Sequence, residues 1–300
     1  MEPDAPVRPL LLEKLPPFPA IAAQLLRLVS QESASFQQVA RLIQADAAFA
    51  AEVLRLANSA LLGLRHPVGN ILQAITFLGA DRLKGLVLTV AMRDFLYGVR
   101  HHVCLHRCWR HNLACALVAD WLSEPCWQDR GACYTAGLLH DIGRLALVAS
   151  DPERYGQILA TPGLDAAAML AEERRVLDLD HCQVGGWLVK DWNLPEHLVE
   201  VIVGHHANAV AGEASVRNLV TISCRLADQI GFAVADFGGV VDADWVRAAV
   251  GDSAWSRLSG QLESLPETVA FKINAFECDF FLERRRPPAA GRLTPPALQR

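Results

Sequence analysis

The chain has 300 residues, 52% hydrophobic and 20% charged, enough to bury a sizeable core in one large or two small domains. A net charge of -5 excludes the broad basic surface that tracks nucleic acid or anionic lipid. No window approaches ~18 uninterrupted apolar residues, and the acidic, Pro-rich start "MEPDAPVRPLLLEK" has no apolar signal core, so neither a membrane span nor an export signal is expected.

Residues 1–13 are expected to form a flexible N-terminus. Strand signals are nearly absent beyond them, and the spacing predicts four or five helices joined by short polar turns over 14–100. "FQQVARLI" puts Phe36, Val39, Ala40 and Ile43 on one face. "DAAFAAEVLRLANSA" opens at a capping residue, Asp46, with Phe49, Val53 and Leu56 along one side. "NILQAITFLG" has Asn70 and Gln73 at capping-box spacing and closes at Gly79. "DRLKGLVLTVAMRDFL" restarts at Asp81 and repeats the stripe through Leu83, Leu86, Val87 and Val90.

Helices are expected in the second half near 105–122, 133–149, 165–177, 181–192, 196–208 and 215–231, with one or two more over 235–282. Pro195 suits a first helical turn, and Gly185-Gly186 allows close helix approach. Residues 283–300, with four prolines in "RRRPPAAGRLTPPALQR" and no apolar period, are expected to be a disordered tail. The fold class expected is all-α, and no repeat at a solenoid period is present.

In "YTAGLLHDIGRLAL", residues 134–147, His140 and Asp141 interrupt an apolar run that Arg144 alone joins as a strongly polar side chain. Burying an imidazole and a carboxylate is costly unless something pairs with them. Other predicted helices carry similar residues: His111 in "CWRHNLACALVADWL", His181 at the head of "HCQVGGWLVKDWNLP", His205 and His206 closing "LPEHLVEVIVGHH", and Asp228 in "LVTISCRLADQIG". One histidine on an apolar face is usually a hydrogen-bonded core residue. Seven His and Asp positions distributed over five predicted helices form a ligand set for Zn, Mn, Fe or Ni, and bridging carboxylates suit two ions ~4 Å apart. A metal-free polar network is the competing account.

Other polar clusters have simpler explanations. "HHVCLHRCWRH", residues 101–111, matches no structural zinc module and reads as a linker and helix start. His66 precedes Pro67 in a surface turn, and Asn58 reads as a structural hydrogen-bonder. Trp187 and Trp192 read as core plugs. Eight cysteines without regular pairing fit a reducing cytoplasm, the expected location.

"AGLLHDIGRL" resembles the signature of the HD superfamily of metal-dependent phosphohydrolases, whose metal ligands match His111, His140, Asp141 and Asp228 here. The HD-GYP branch, phosphodiesterases of cyclic di-GMP, adds histidines that match His181, His205 and His206. "LPPFPAIAAQLLRLV", "VARLIQADAAFAAEVLRLANSA", "ILQAITFLGADRLKGLVL" and "WNLPEHLVEVIVGHH" resemble the HDOD family, the HD-related output domain, over about residues 14 to 230. That resemblance implies an N-terminal helical bundle, 14–100, packed on an HD-like bundle, 101–282. It also implies a role in bacterial signalling and regulation without catalysis, exerted on signalling protein partners. The chain departs from HD-GYP where "HHANAVAGEAS" lacks the GYP stretch, where Arg107 replaces a Glu, and where Arg144 replaces a Lys.

The function expected from the resemblance is therefore regulatory, with a retained site for one or two ions of Fe, Mn, Ni or Zn at the seven residues. The alternative is a metal-dependent phosphohydrolase or phosphodiesterase in which Arg144 contacts the phosphate of a nucleotide or other phosphate ligand.

Overall fold

The computed structural model describes residues 15, 20–29, 35–59, 62–96, 102–235 and 241–282. The expected flexible N-terminus and disordered tail lie outside these residues. Every regular element among them is helical, as the periodicity predicts, and none is long and apolar enough to cross a membrane.

The first five helices are α1 (Ala20–Val29), α2 (Phe36–Gln44), α3 (Ala47–Ala57), α4 (Ile71–Leu78) and α5 (Ala80–Phe95). Their ends follow local chemistry. Ser35 and Gln38 close a capping box on α2, and Asp46 accepts from the Ala48 and Phe49 amides at the start of α3. Asn70 accepts from the Gln73 amide, but Gln73 Oε1 accepts from Gly69 N, one residue before the position that would complete a box. Gly79, at φ +79°, ends α4 and turns the chain directly into α5.

Val39, Ala40, Ile43, Phe49, Val53 and Leu56 are buried as their spacing requires. Phe36 departs from its stripe and is 46% exposed. It is the first residue of α2, and its side chain has no preceding turn to lie over. Asn58 bonds both polar groups of Val68, with Nδ2 to the carbonyl and the amide to Oδ1, and so pins the loop after α3.

The remaining helices are α6 (Val103–Ser123), α7 (Arg130–Leu139), α8 (Ile142–Ser150), α9 (Pro152–Leu159), α10 (Ala166–Leu177), α11 (His181–Asp191), α12 (His197–Gly204), α13 (Val216–Ala227), α14 (Ala243–Val250), α15 (Asp252–Leu262) and α16 (Leu265–Leu282). Helix α6 is buried almost all round, as expected of a central helix, and packs on α7, α8, α13 and α16. Helix α5 lies on α7 and joins the first five helices to the rest through a continuous apolar core.

Three expectations are corrected. The helix predicted over 133–149 is two, α7 and α8, broken at His140-Asp141. Helix α9 was not expected; Asp151 caps it and Pro152 fills its first position. Residues 241–282 form three helices where one or two were predicted.

Glycines set the approach of the helices that carry the polar cluster. A Cβ on Gly143 would fall 1.9 Å from the His181 carbonyl oxygen, so α8 and the first turn of α11 touch backbone to backbone. A Cβ on Gly137 would fall 2.9 Å from Ala116 Cα, which also places α7 backbone to backbone against α6. Gly185 meets the Ile202 side chain of α12 at 2.5 Å from its own Cβ position, the close approach its sequence predicts.

Candidate metal centre

His140 ends α7, and Asp141 precedes α8 with a backbone at φ -110°, ψ 26°, outside the helical range. Successive residues of an unbroken helix diverge by about 100°. The break lets this adjacent pair serve one cluster.

Several rings are oriented by acceptors on their Nδ1 side. His140 Nδ1 donates to Gly137 O at 2.7 Å, and His205 Nδ1 donates to Ile202 O at 2.7 Å. Each uses a carbonyl that a helix end leaves without a partner. His111 Nδ1 donates to Phe232 O at 3.0 Å, a carbonyl delivered by the π turn Asp228–Phe232, in which Gly231 takes φ +97°. A carbonyl accepts only, so each of these rings carries its hydrogen on Nδ1 and presents a bare Nε2. His181 Nδ1 lies 2.7 Å from Glu173 Oε2, which also accepts from the His181 amide at 2.8 Å.

The inward atoms converge. His111 Nε2 and His140 Nε2 stand 3.3 Å apart, and His181 Nε2 and His206 Nε2 stand 2.9 Å apart. Asp141 Oδ1 lies 3.3 Å from His181 Nε2 and 3.5 Å from His205 Nε2. Three groups with ligand atoms within 4.8 Å of one another result: His111 with His140 and Cys224, His140 with Asp141 and His205, and His181 with Cys182, His205 and His206. They are linked through His140 and His205. Asp141 Oδ1 and His205 Nε2 are buried without a hydrogen-bond donor. Orphaned acceptors in a nitrogen, oxygen and sulfur donor set fit a divalent transition metal, and the acceptors behind the rings are what such a site requires.

The electrostatics run in the same direction. Burial would raise the Asp141 carboxyl, but Arg144 and His181 outweigh it and hold the carboxyl well below the usual range. Burial pushes His140 and His206 well below the ordinary imidazole value. For His181, burial and Arg144 oppose the charged form while Glu173, Cys182 and Asp141 prevail, raising it to about 10. A metal held by His181 must displace that proton. Burial would also raise Glu173, yet His181, Arg144 and Tyr155 hold it at about 2.

Two predicted residues are placed differently from the sequence expectation. Arg144, expected at a phosphate, is wholly buried. Its Nε donates to Asp141 Oδ2 at 2.7 Å and its Nη1 to Tyr155 Oη at 3.1 Å, with Glu173 Oε1 at 3.4 Å and His181 Nε2 at 3.1 Å from Nη2. The guanidinium is committed to the interior because α8 turns it toward α9 and α10. Asp228, expected as a ligand, lies with Oδ1 3.3 Å from His111 Nδ1, on the back of that ring, and belongs to none of the three groups. Burial raises its carboxyl to about 6.

The sequence reasoning missed Cys224, Glu173 and Tyr155. Cys224 was detectable as the residue four before Asp228, on the same helical face. Glu173 and Tyr155 follow no local pattern; their roles arise where α9 and α10 pass beneath α8 and α11. Within "HHVCLHRCWRH", His101 lies outside the described residues, His106 pairs with Glu277 at 2.8 Å, and Cys108 is buried. No metal-sized group forms there among the described residues. Arg107 donates to Val234 O at 3.1 Å.

Comparison with known proteins agrees with this architecture. The HDOD domain model matches residues 15–208. An uncharacterized protein of Treponema pallidum is 22% identical over 200 residues, covering 65% of this chain and 38% of that relative, so the chain spans about two fifths of the relative's length. Three solved structures share the fold. One is a provisionally named phosphohydrolase from Shewanella amazonensis (TM-score 0.62, 23% identity, 86% of this chain and 96% of that one). Another is a provisionally named signal transduction protein from Marinobacter aquaeolei (0.69, 21%, 89% and 60%). The third is an HDOD domain protein of unknown function from Geobacter sulfurreducens (0.60, 24%, 87% and 94%). Because the family model spans well over half of its length, the chain belongs to the HDOD domain family.

Proposed function

We propose that this chain is a bacterial signalling and regulatory protein that acts in the cytoplasm on protein partners. In this reading its histidine and aspartate cluster holds one or two ions of iron, manganese, nickel or zinc. The observation that carries the regulatory half is the placement of Arg144. This guanidinium, the cationic side chain expected at a phosphate, is spent on Asp141, Tyr155 and Glu173 in the interior, so it is not left to steady a phosphate beside the metal. His111, His140, Asp141, His181 and His205 are buried beside it.

A bound divalent ion supplies the positive charge that the inward lone pairs lack. Helices α6, α7, α11 and α12 each position one or more of the histidines, so their mutual packing depends on what the cluster holds. That dependence supports a surface whose shape reports occupancy to a partner.

A second reading, a metal-dependent phosphohydrolase, is favoured by the partly exposed edge of the cluster. There His206 is half-buried.

The test is elemental analysis of protein purified without an affinity tag, followed by turnover assays on a cyclic dinucleotide, a nucleotide and a model phosphoester with each metal. Near-stoichiometric metal with no turnover is expected. Turnover that Asp141→Ala abolishes without unfolding the protein would replace the regulatory reading with the hydrolase.

A further inference from the structure

We infer that Cys224 is itself a metal ligand, and that with His111 Nε2 and His140 Nε2 it forms a nitrogen and sulfur site for a borderline-soft divalent ion of the Zn²⁺ or Fe²⁺ class. This rests on the metal reading above and deepens it by naming a ligand and a class of ion.

Geometry is the first support. A tetrahedral site with metal–nitrogen bonds of about 2.0–2.1 Å and a metal–sulfur bond of about 2.3 Å has N···N edges of about 3.3 Å and N···S edges of about 3.6 Å. His111 Nε2 stands 3.3 Å from His140 Nε2 and 3.6 Å from Cys224 Sγ. All three ligand atoms lie within 4.8 Å of one another.

Hydrogen counting is the second. Phe232 O and Gly137 O fix the hydrogens of His111 and His140 on Nδ1, leaving two bare Nε2 lone pairs facing each other. The Cys224 thiol has one hydrogen and satisfies one of them. A cation between the three atoms satisfies both nitrogens and the sulfur.

The third is the contrast with neighbouring residues. Asp228 approaches His111 from the Nδ1 side, so the inward position on this face of α13 belongs to the residue one turn earlier. Cys115 is equally buried, but its sulfur lies 3.9 Å from Val220 O and joins no ligand group. Burial alone therefore does not place a cysteine at the cluster. Next to the site, Asp141 Oδ1 and His205 Nε2 remain buried without donors, and both share a group with His140.

Coordination by Cys224 forms a metal–sulfur bond and releases the thiol proton to the buffer. A thiolate shifts preference away from Mn²⁺, which oxygen-rich sites favour, toward Zn²⁺ or Fe²⁺.

The experiment is titration of metal-free full-length protein with Co²⁺, read by ultraviolet and visible absorption, for the native chain and for Cys224→Ser, Cys224→Ala and Cys115→Ser. The native chain should show visible ligand-field bands together with a near-ultraviolet thiolate-to-cobalt charge-transfer band. Cys115→Ser should keep both, and either Cys224 variant should keep the visible bands and lose the charge-transfer band. Visible bands without charge transfer in the native chain would overturn Cys224 as a ligand while leaving the metal reading intact. Absence of any cobalt spectrum would overturn both. Because Cys182 sits in the neighbouring group with His181, His205 and His206, Cys182→Ser is the further control. It should keep the charge-transfer band, which decides the matter even if a Cys224 variant fails to fold, and loss of the band in Cys182→Ser would overturn Cys224 as the thiolate ligand.

Discussion

Arg144 Nη1 and Glu173 Oε1 meet 3.4 Å apart beneath the histidine cluster, and neither side chain reaches solvent. The guanidinium also holds Asp141, so Arg144 and His181 together balance two buried carboxylates. Removing Arg144 leaves the two carboxylates one cation short. Arg144→Ala is expected to cost about 3–5 kcal/mol, measured by urea unfolding, because the remaining charges stay buried. A cost under about 1 kcal/mol would show that the pair is solvated in solution.

The Nε2 atoms of His111 and His140 face each other at 3.3 Å, and on the metal reading proposed above stability is expected to depend on metal. Adding Zn²⁺ at 100 times its dissociation constant should stabilise the native protein by about 2.7 kcal/mol, and chelation should reverse this. His111→Ala and His140→Ala should each shrink the metal-induced shift, and any remainder belongs to the group of His181, Cys182, His205 and His206, which contains neither residue. A shift that survives both substitutions undiminished would locate the ion elsewhere.

Gly143 tests the backbone contact that brings Asp141 to His181. In Gly143→Ala the new Cβ has the His181 carbonyl 1.9 Å away, so α8 and α11 must separate. A loss of at least about 1–3 kcal/mol is expected, with weaker metal binding read by competition with a chelating dye. Gly260→Ala, in exposed helix with nothing within 4 Å of its Cβ, is the opposite case and should gain about 0.4–1 kcal/mol. Equal effects at the two positions would refute the close approach.

Glu52 links α3 to α5 and predicts part of the acid response. Its carboxylate lies 2.7 Å from Arg93 Nη1 and 3.0 Å from Arg55 Nη2. Burial would raise its pKa, and the two guanidiniums outweigh burial and lower it from 4.5. A lowered carboxylate contributes stability that is present above the unfolded value and lost as pH falls through the lower folded value. Glu52→Gln should therefore cost about 1 kcal/mol at neutral pH and flatten the loss of stability below pH 4.5. Thermal unfolding of both proteins from pH 7 to pH 3 checks this, and parallel curves would exclude Glu52 as a contributor.

Much of the helical layout was legible because it is local. Caps such as Asp46 and Asn70, and stripes such as Val39, Ala40 and Ile43, concern residues within one or two turns of each other. The polar positions His111, His140, Asp141, His181, His205 and His206 stood out because each interrupts apolar sequence at a cost only pairing offsets. The break at His140-Asp141 was hidden, since apolar periodicity continues across it.

By itself, then, the sequence determined an all-helical chain, its family and the residues whose burial needed an explanation. Only the tertiary structure decided which atoms those residues turn inward. His111 offers Nε2 because Phe232, 121 residues away, accepts from Nδ1. Arg144 is held inside because Tyr155 and Glu173 arrive from two other helices. Cys224 meets the inward Nε2 of His111 while Asp228 meets its Nδ1 because α13 meets α6 in a particular rotation. Such contacts join residues far apart in the chain, and no spacing along it encodes the direction from which they meet.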